Sequence, residues 1–87
     1  MGSLRDYRVA ESLIEMLRHD LARFDRSPRV GRTRLLVEMA VEAQTQARGL
    51  NVPAILKSDI ERLAMSARAR ARNTRREMRG TRVRKAA

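Results

Sequence analysis

The sequence predicts an all-α protein: a small three-helix bundle with a long third helix extending into an Arg-rich C-terminal tail. Three observations predict it. Three apolar stripes recur at helical spacing, turn residues separate them, and the basic excess of the 87-residue chain is confined to one end. Apolar residues three and four apart share one side of a 3.6-residue helix, whereas a half-buried strand needs alternation. No stretch alternates for long enough to form one.

The first stripe is Ala10, Ile14, Leu17, Leu21 and Phe24, widened by Leu13 and Met16. Ser3 followed by Asp6 resembles a capping box at its start. Ser27-Pro28 closes the first linker and offers an N-cap and a first-turn proline to the second helix. Because Gly31 weakens that turn, Thr33 is the other candidate start. The second stripe is Leu36, Ala40, Ala43, Ala47 and Leu50, flanked by Leu35 and Met39. Its alanines allow close helix approach. Gly49, followed by the apolar Leu50, suits a left-handed C-cap, and Asn51-Val52-Pro53 then turns the chain.

The third helix starts at Pro53 or at Ser58, where Ser58-Asp59-Ile60-Glu61 reads as another capping box. Its stripe of Leu56, Ile60, Leu63 and Ala67 fades into Ala71, Thr74 and Met78. The helix is therefore expected to outrun the core and to end at Gly80. This divides the chain into a helical bundle over residues 1–67 and a basic extension over 68–87.

The bundle must be held by little. With two aromatic residues, Tyr7 and Phe24, the core is aliphatic. A domain of this size buries only roughly 60% of the surface its unfolded chain exposes. There is no cysteine, hence neither a disulfide nor a thiolate zinc site to reinforce it, and reducing conditions suit the chain. Self-association remains as the usual remedy, so a homodimer is expected.

Charge carries the functional signal. The net charge is +10 and the isoelectric point near 11.7. Residues 1–61 hold ten Lys and Arg against nine Asp and Glu, while residues 62–87 hold ten against one, Glu77. A nearly neutral body thus leads into a strongly cationic end. On a helix Arg68, Arg72, Arg75 and Arg79 fall on one face with Arg76 beside them, a row about 16 Å long at about 1.5 Å per residue. Like charges at these spacings repel one another. A line of phosphates laid along the row would relieve the repulsion and release condensed counterions. The candidate nucleic-acid-binding residues are Arg68, Arg70, Arg72, Arg75, Arg76, Arg79, Arg82, Arg84 and Lys85. Arg forks hold phosphate bidentately and reach guanine edges. The chain has 18 Arg and two Lys overall, however, so the clustering is more informative than the choice of arginine.

In composition the tract resembles the arginine-rich helices of viral antiterminators and export factors, which bind structured RNA. No specific motif matches, and no residue is carried over. The turn at Gly49 has the outline of a helix-turn-helix, with Leu50 and Ile55 in place. Gln44, Arg48 and Ser58 are polar where that motif buries apolar residues, and Pro53 interrupts its turn. The tract contains no Phe, Tyr or Trp on which bases would stack, which favours duplex DNA or structured RNA over single strands. A second basic group, Arg23, Arg26, Arg29, Arg32 and Arg34, surrounds the first linker. It would join the first if folding brought that linker beside the third helix; with Asp20, Asp25 and Glu38 nearby, a solvated mixed surface is the equal alternative.

Other functions are excluded residue by residue. No apolar run approaches the roughly 20 residues that span a bilayer. Ala69, Ala71 and Met78 are a poor anchor for a membrane-surface helix. The N-terminus lacks the apolar segment of a secretory signal, and Asp6 stands where an N-myristoylation motif needs Ser or Thr. His19, the single histidine, lies off the apolar stripe and is expected on the surface. No catalytic triad, metal site, phosphate loop or cofactor motif can be assembled. The chain reads as no enzyme. It reads as a small cytoplasmic nucleic-acid-binding protein, regulatory or architectural, of phage, plasmid or bacterial type, contacting the phosphate backbone. The alternatives are a helical interaction module that docks an acidic protein partner around Leu35, Leu36 and Met39, and a structural ribonucleoprotein or virion component.

Overall fold

The computed structural model describes residues 3–86, and side chains as far as residue 77. They form three helices: α1 (Leu4–Arg26), α2 (Val30–Arg48) and α3 (Ala54–Ala86). Among the described residues there is no strand. The protein is a three-helix bundle.

Helix α1 buries Ala10, Leu13, Ile14, Leu17, Leu21 and Phe24, the stripe its sequence marks out. Met16, expected at the edge of that face, is 36% exposed. Ser3 is the N-cap but its side chain makes no capping bond, so the capping box does not form. Asp6 turns elsewhere: its Oδ2 accepts the backbone N–H of Asn51 at 2.8 Å, tying the turn between α2 and α3 to the first turn of α1.

The linker differs from the sequence expectation. Ser27 caps the end of α1, its N–H donating to the carbonyl of Phe24 at 3.1 Å, and does not start α2. Helix α2 begins at Val30 behind an extended Arg29. Thr33 is no cap either; it is a helical residue 1% exposed. The 3-4-3-4 rhythm of Thr33, Leu36, Ala40, Ala43 and Ala47 runs one turn further back than the apolar residues alone reveal.

The two glycine expectations are also corrected. Gly49 has φ −87° and ψ −4°, a right-handed conformation. Its N–H donates to the carbonyl of Gln46 at 3.1 Å, and that of Leu50 to Ala47 at 3.2 Å. This tightened last turn satisfies the terminal carbonyls without a left-handed residue. Gly80 does not end α3, which continues to Ala86. A helical glycine costs about 1 kcal/mol relative to alanine, and the Arg, Met and Lys around it are good helix formers. At the other end, the carbonyl of Pro53 accepts N–H bonds from Leu56 and Lys57 at 3.0 and 3.4 Å, so α3 starts directly after the proline. Ser58 lies inside it.

Cross-helix bonds give the directions. Asp6 meets Asn51 and Asp25 meets Arg70, so α1 and α3 run parallel. Gln44 meets Glu61 while Thr33 meets Arg75, so α2 runs antiparallel to α3. The two lie alongside one another as a helical hairpin, unlike the crossed pair of a helix-turn-helix. Theirs is the most extensive of the helix pairings, and that of α1 with α2 the least. Small residues explain the first fact: Ala40, Ala43 and Ala47 on α2, and Ala64, Ala67 and Ala71 on α3, are all buried.

The core has two halves. Ala10, Leu13, Ile14, Leu17, Ala43, Ala47 and Ile60 fill one, with Leu50, Val52, Leu56 and Leu63 packed against it. Leu21, Phe24, Leu36, Ala40, Ala64, Ala67 and Ala71 fill the other, at the end where α1 turns into α2. Full burial of a leucine or isoleucine contributes about 1.5–3 kcal/mol, and Leu17 and Ile60 are the largest apolar side chains that achieve it. Ala71 is 1% exposed, so the core continues past Ala67 into the arginine tract.

Candidate functional site

The arginines of α3 emerge beside the α1–α2 linker, and the bundle treats them unequally. Arg75 is half-buried, and its Nε–H donates to the Thr33 hydroxyl oxygen at 2.8 Å. That hydroxyl donates in turn to the carbonyl of Val30 at 2.6 Å, so its oxygen is fixed with a lone pair towards the guanidinium. Arg70 pairs with Asp25 of α1 at 3.3 Å. Arg68 donates to Oε1 of Gln44 at 3.3 Å, while Nε2 of the same side chain donates to Glu61 at 2.8 Å. Gln44 is 7% exposed and spends both ends of its amide on α3. A polar residue buried there is stable because each end has a partner.

Arg72 and Arg76 behave differently. Both are exposed, and no hydrogen bond or ion pair joins either to another described residue. The single row expected from spacing is thus divided: Arg68, Arg70 and Arg75 face partners on α1 or α2, and Arg72 and Arg76 face solvent. Arg79, Arg82, Arg84 and Lys85 are carried on the continuing helix, and their side chains lie outside the described residues.

Folding joins the two basic groups. The Arg70–Asp25 and Arg75–Thr33 contacts bring residues 70–76 of α3 against the linker end of α1 and α2. Arg23, Arg26, Arg29, Arg32 and Arg34 are all exposed at that end. Arg34 pairs with Glu38 at 3.2 Å; the other four have no ion pair among the described residues. Of the nearby acids, Asp25 is engaged by Arg70 and Glu38 by Arg34, while Asp20 keeps one carboxylate oxygen without a donor among the described residues. The end of the bundle is a cationic surface built from residues some 40 positions apart in sequence.

Elsewhere the surface offers little for chemistry. His19 is 75% exposed, 3.5 Å from Asp20. Among the described residues no group of three or more His, Asp or Glu is arranged to hold a metal ion. No described helix is long and apolar enough to cross a membrane. A shallow groove of about 160 Å³ lies between α1 and α2, lined in part by Leu35, Leu36 and Met39.

Thr33, Gln44 and Asp25 are the residues that sequence reasoning missed. Thr33 and Gln44 sit on the buried face of α2, and a polar residue on such a face needs a partner from a neighbouring helix. That was the available signal.

Comparison with protein families, with curated proteins and with solved structures found no match to this chain. The site is therefore interpreted from its own chemistry.

Proposed function

We propose that this chain is a non-catalytic, cytoplasmic nucleic-acid-binding protein, regulatory or architectural, that grips the phosphate backbone of duplex DNA or structured RNA with the cationic end of its bundle. Arg72 and Arg76 make the central contacts, Arg79, Arg82, Arg84 and Lys85 extend them along the strand, and Arg26, Arg29 and Arg32 supply a second set from the linker. Arg68, Arg70 and Arg75 act mainly as structural ties that fix α3 against the bundle.

The observation that supports this reading is the exposure of Arg72 and Arg76 with no partner among the described residues, beside Arg26, Arg29 and Arg32, which have no ion pair there either. Cations left facing water next to one another repel, and a polyanion is the ligand that relieves all of them together. The absence of aromatic residues from the tract keeps the contacts on the backbone rather than on stacked bases.

The test is fluorescence anisotropy with a labelled duplex, comparing the wild-type chain with one carrying Arg72→Gln, Arg76→Gln and Arg79→Gln together. Helicity should persist and binding should be lost. Binding that survives the triple change would move the site elsewhere on the bundle.

A further inference from the structure

The groove between α1 and α2 shares only Arg32 with the proposed phosphate contacts. It exists because these two helices make the least extensive pairing in the bundle. Phe24, Leu35 and Met39 form its apolar part, and Asp20, Arg23 and Arg32 its charged part. Leu35 is 60% exposed, and Met16, one turn before Asp20 on α1, is 36% exposed. Asp20 is the unusual member: its Oδ2 is buried with no hydrogen-bond donor among the described residues. Its other oxygen lies 3.5 Å from Nδ1 of His19. A buried acceptor without a donor is destabilising, and a partner that supplies the donor relieves it. Arg23 and Arg32, on the same groove, have no ion pair among the described residues.

We propose that this groove is the contact surface for a second copy of the chain. Leu35 and Met39 pack across a two-fold axis, and Asp20 of each chain receives Arg23 or Arg32 of the other. An isologous interface requires one patch to complement itself. This patch does so, since it carries an unsatisfied acid and unpaired bases beside apolar side chains. An acidic partner helix would pair with Arg23 and Arg32 but leave Asp20 without a donor, whereas a second copy supplies both signs.

The proposal shares only Arg32 with the nucleic-acid reading, and salt separates the two. Each copy carries a net charge of +10, so salt that screens the repulsion between copies strengthens the dimer. The same salt weakens phosphate binding.

The experiment is analytical ultracentrifugation of the full chain, freed of nucleic acid, at about 0.05 M and about 0.5 M salt. The expected result at high salt is twice the 10.0 kDa chain mass, falling on dilution. Leu35→Glu, at an exposed position, should give a helical monomer. Asp20→Arg should weaken association about tenfold or more, and adding Arg23→Asp with Arg32→Asp should restore it. A wild-type chain that remains at monomer mass at high salt overturns the proposal, as does a dimer that Leu35→Glu leaves intact. A monomer that binds a synthetic leucine–glutamate amphipathic peptide through Leu35 also overturns it and assigns the groove to an acidic partner.

Discussion

Arg75 donates its Nε–H to the hydroxyl oxygen of Thr33 at 2.8 Å, across 42 residues of sequence, and so fixes the arginine-bearing stretch of α3 to the first turn of α2. The bond makes the cationic end part of the folded body. It also sets the rotation of α3, with Ala71 turned to the core and Arg72 and Arg76 turned to solvent.

Thr33→Val keeps the side-chain volume and removes the oxygen. The expected outcome is a loss of about 1.5–3 kcal/mol of unfolding free energy, the range for a hydrogen bond to a charged group. Urea denaturation followed by circular dichroism reads it. No change in midpoint would mean that water replaces the bond at no cost.

Ala71 tests how far the core reaches. It is 1% exposed and belongs to the cluster of Leu21, Phe24 and Leu36, while Ala69 two positions earlier is exposed. Ala71→Leu should destabilise by about 1–3 kcal/mol through overpacking, and Ala69→Leu should fall within about 0.5 kcal/mol of wild type. Equal effects in thermal melts would place the end of the packed core before residue 71.

The partners of the α3 arginines predict unequal roles in binding. Arg70→Gln removes a half-exposed pair with Asp25 at 3.3 Å, and its effect on duplex affinity should stay within about twofold, such pairs contributing about 0–1 kcal/mol. Arg72→Gln and Arg76→Gln should each weaken binding across all duplex sequences and reduce the salt slope by about 1. Titration of single variants at several salt concentrations separates the two groups.

Much of the fold is legible in the sequence, and the reasons are local. The stripe from Ala10 to Phe24 marks the buried face of α1 because a single helix period governs it. The stripe of α3 is less well marked. Ala64, absent from the apolar rhythm that includes Leu63, is fully buried while Leu63 is only partly so. Helix α3 packs against two neighbours, and its small residues face the close one. The chain breaks were legible as places but not as conformations: Gly49 closes α2 in right-handed geometry, and Gly80 is absorbed into α3. Each outcome was settled by hydrogen bonds or helix propensity that neighbouring residues supply.

The candidate site was legible as a charge asymmetry and illegible as a surface. Spacing puts Arg68, Arg72, Arg75 and Arg79 on one face, but only tertiary contacts decide that Gln44 and Thr33 engage two of them. The bond between Asp6 and Asn51 could not be foreseen, since a backbone N–H in a turn leaves no sequence mark.

The linker arginines give a test of the composite surface. Arg26 and Arg29 are far from α3 in sequence and exposed at the same end of the fold. Arg26→Gln with Arg29→Gln should weaken duplex binding about as much as Arg72→Gln with Arg76→Gln, with helicity unchanged. Filter binding or anisotropy reads both pairs. An unaffected linker variant would confine the interface to α3.

The central claim is that ligand recognition is phosphate neutralisation by this cationic end. The most direct measurement is the salt dependence of the association constant for duplex DNA. With about six to eight phosphates contacted, log K should fall against log salt with a slope of about −5 to −7. A slope near zero, or no measurable association at low salt, would contradict it.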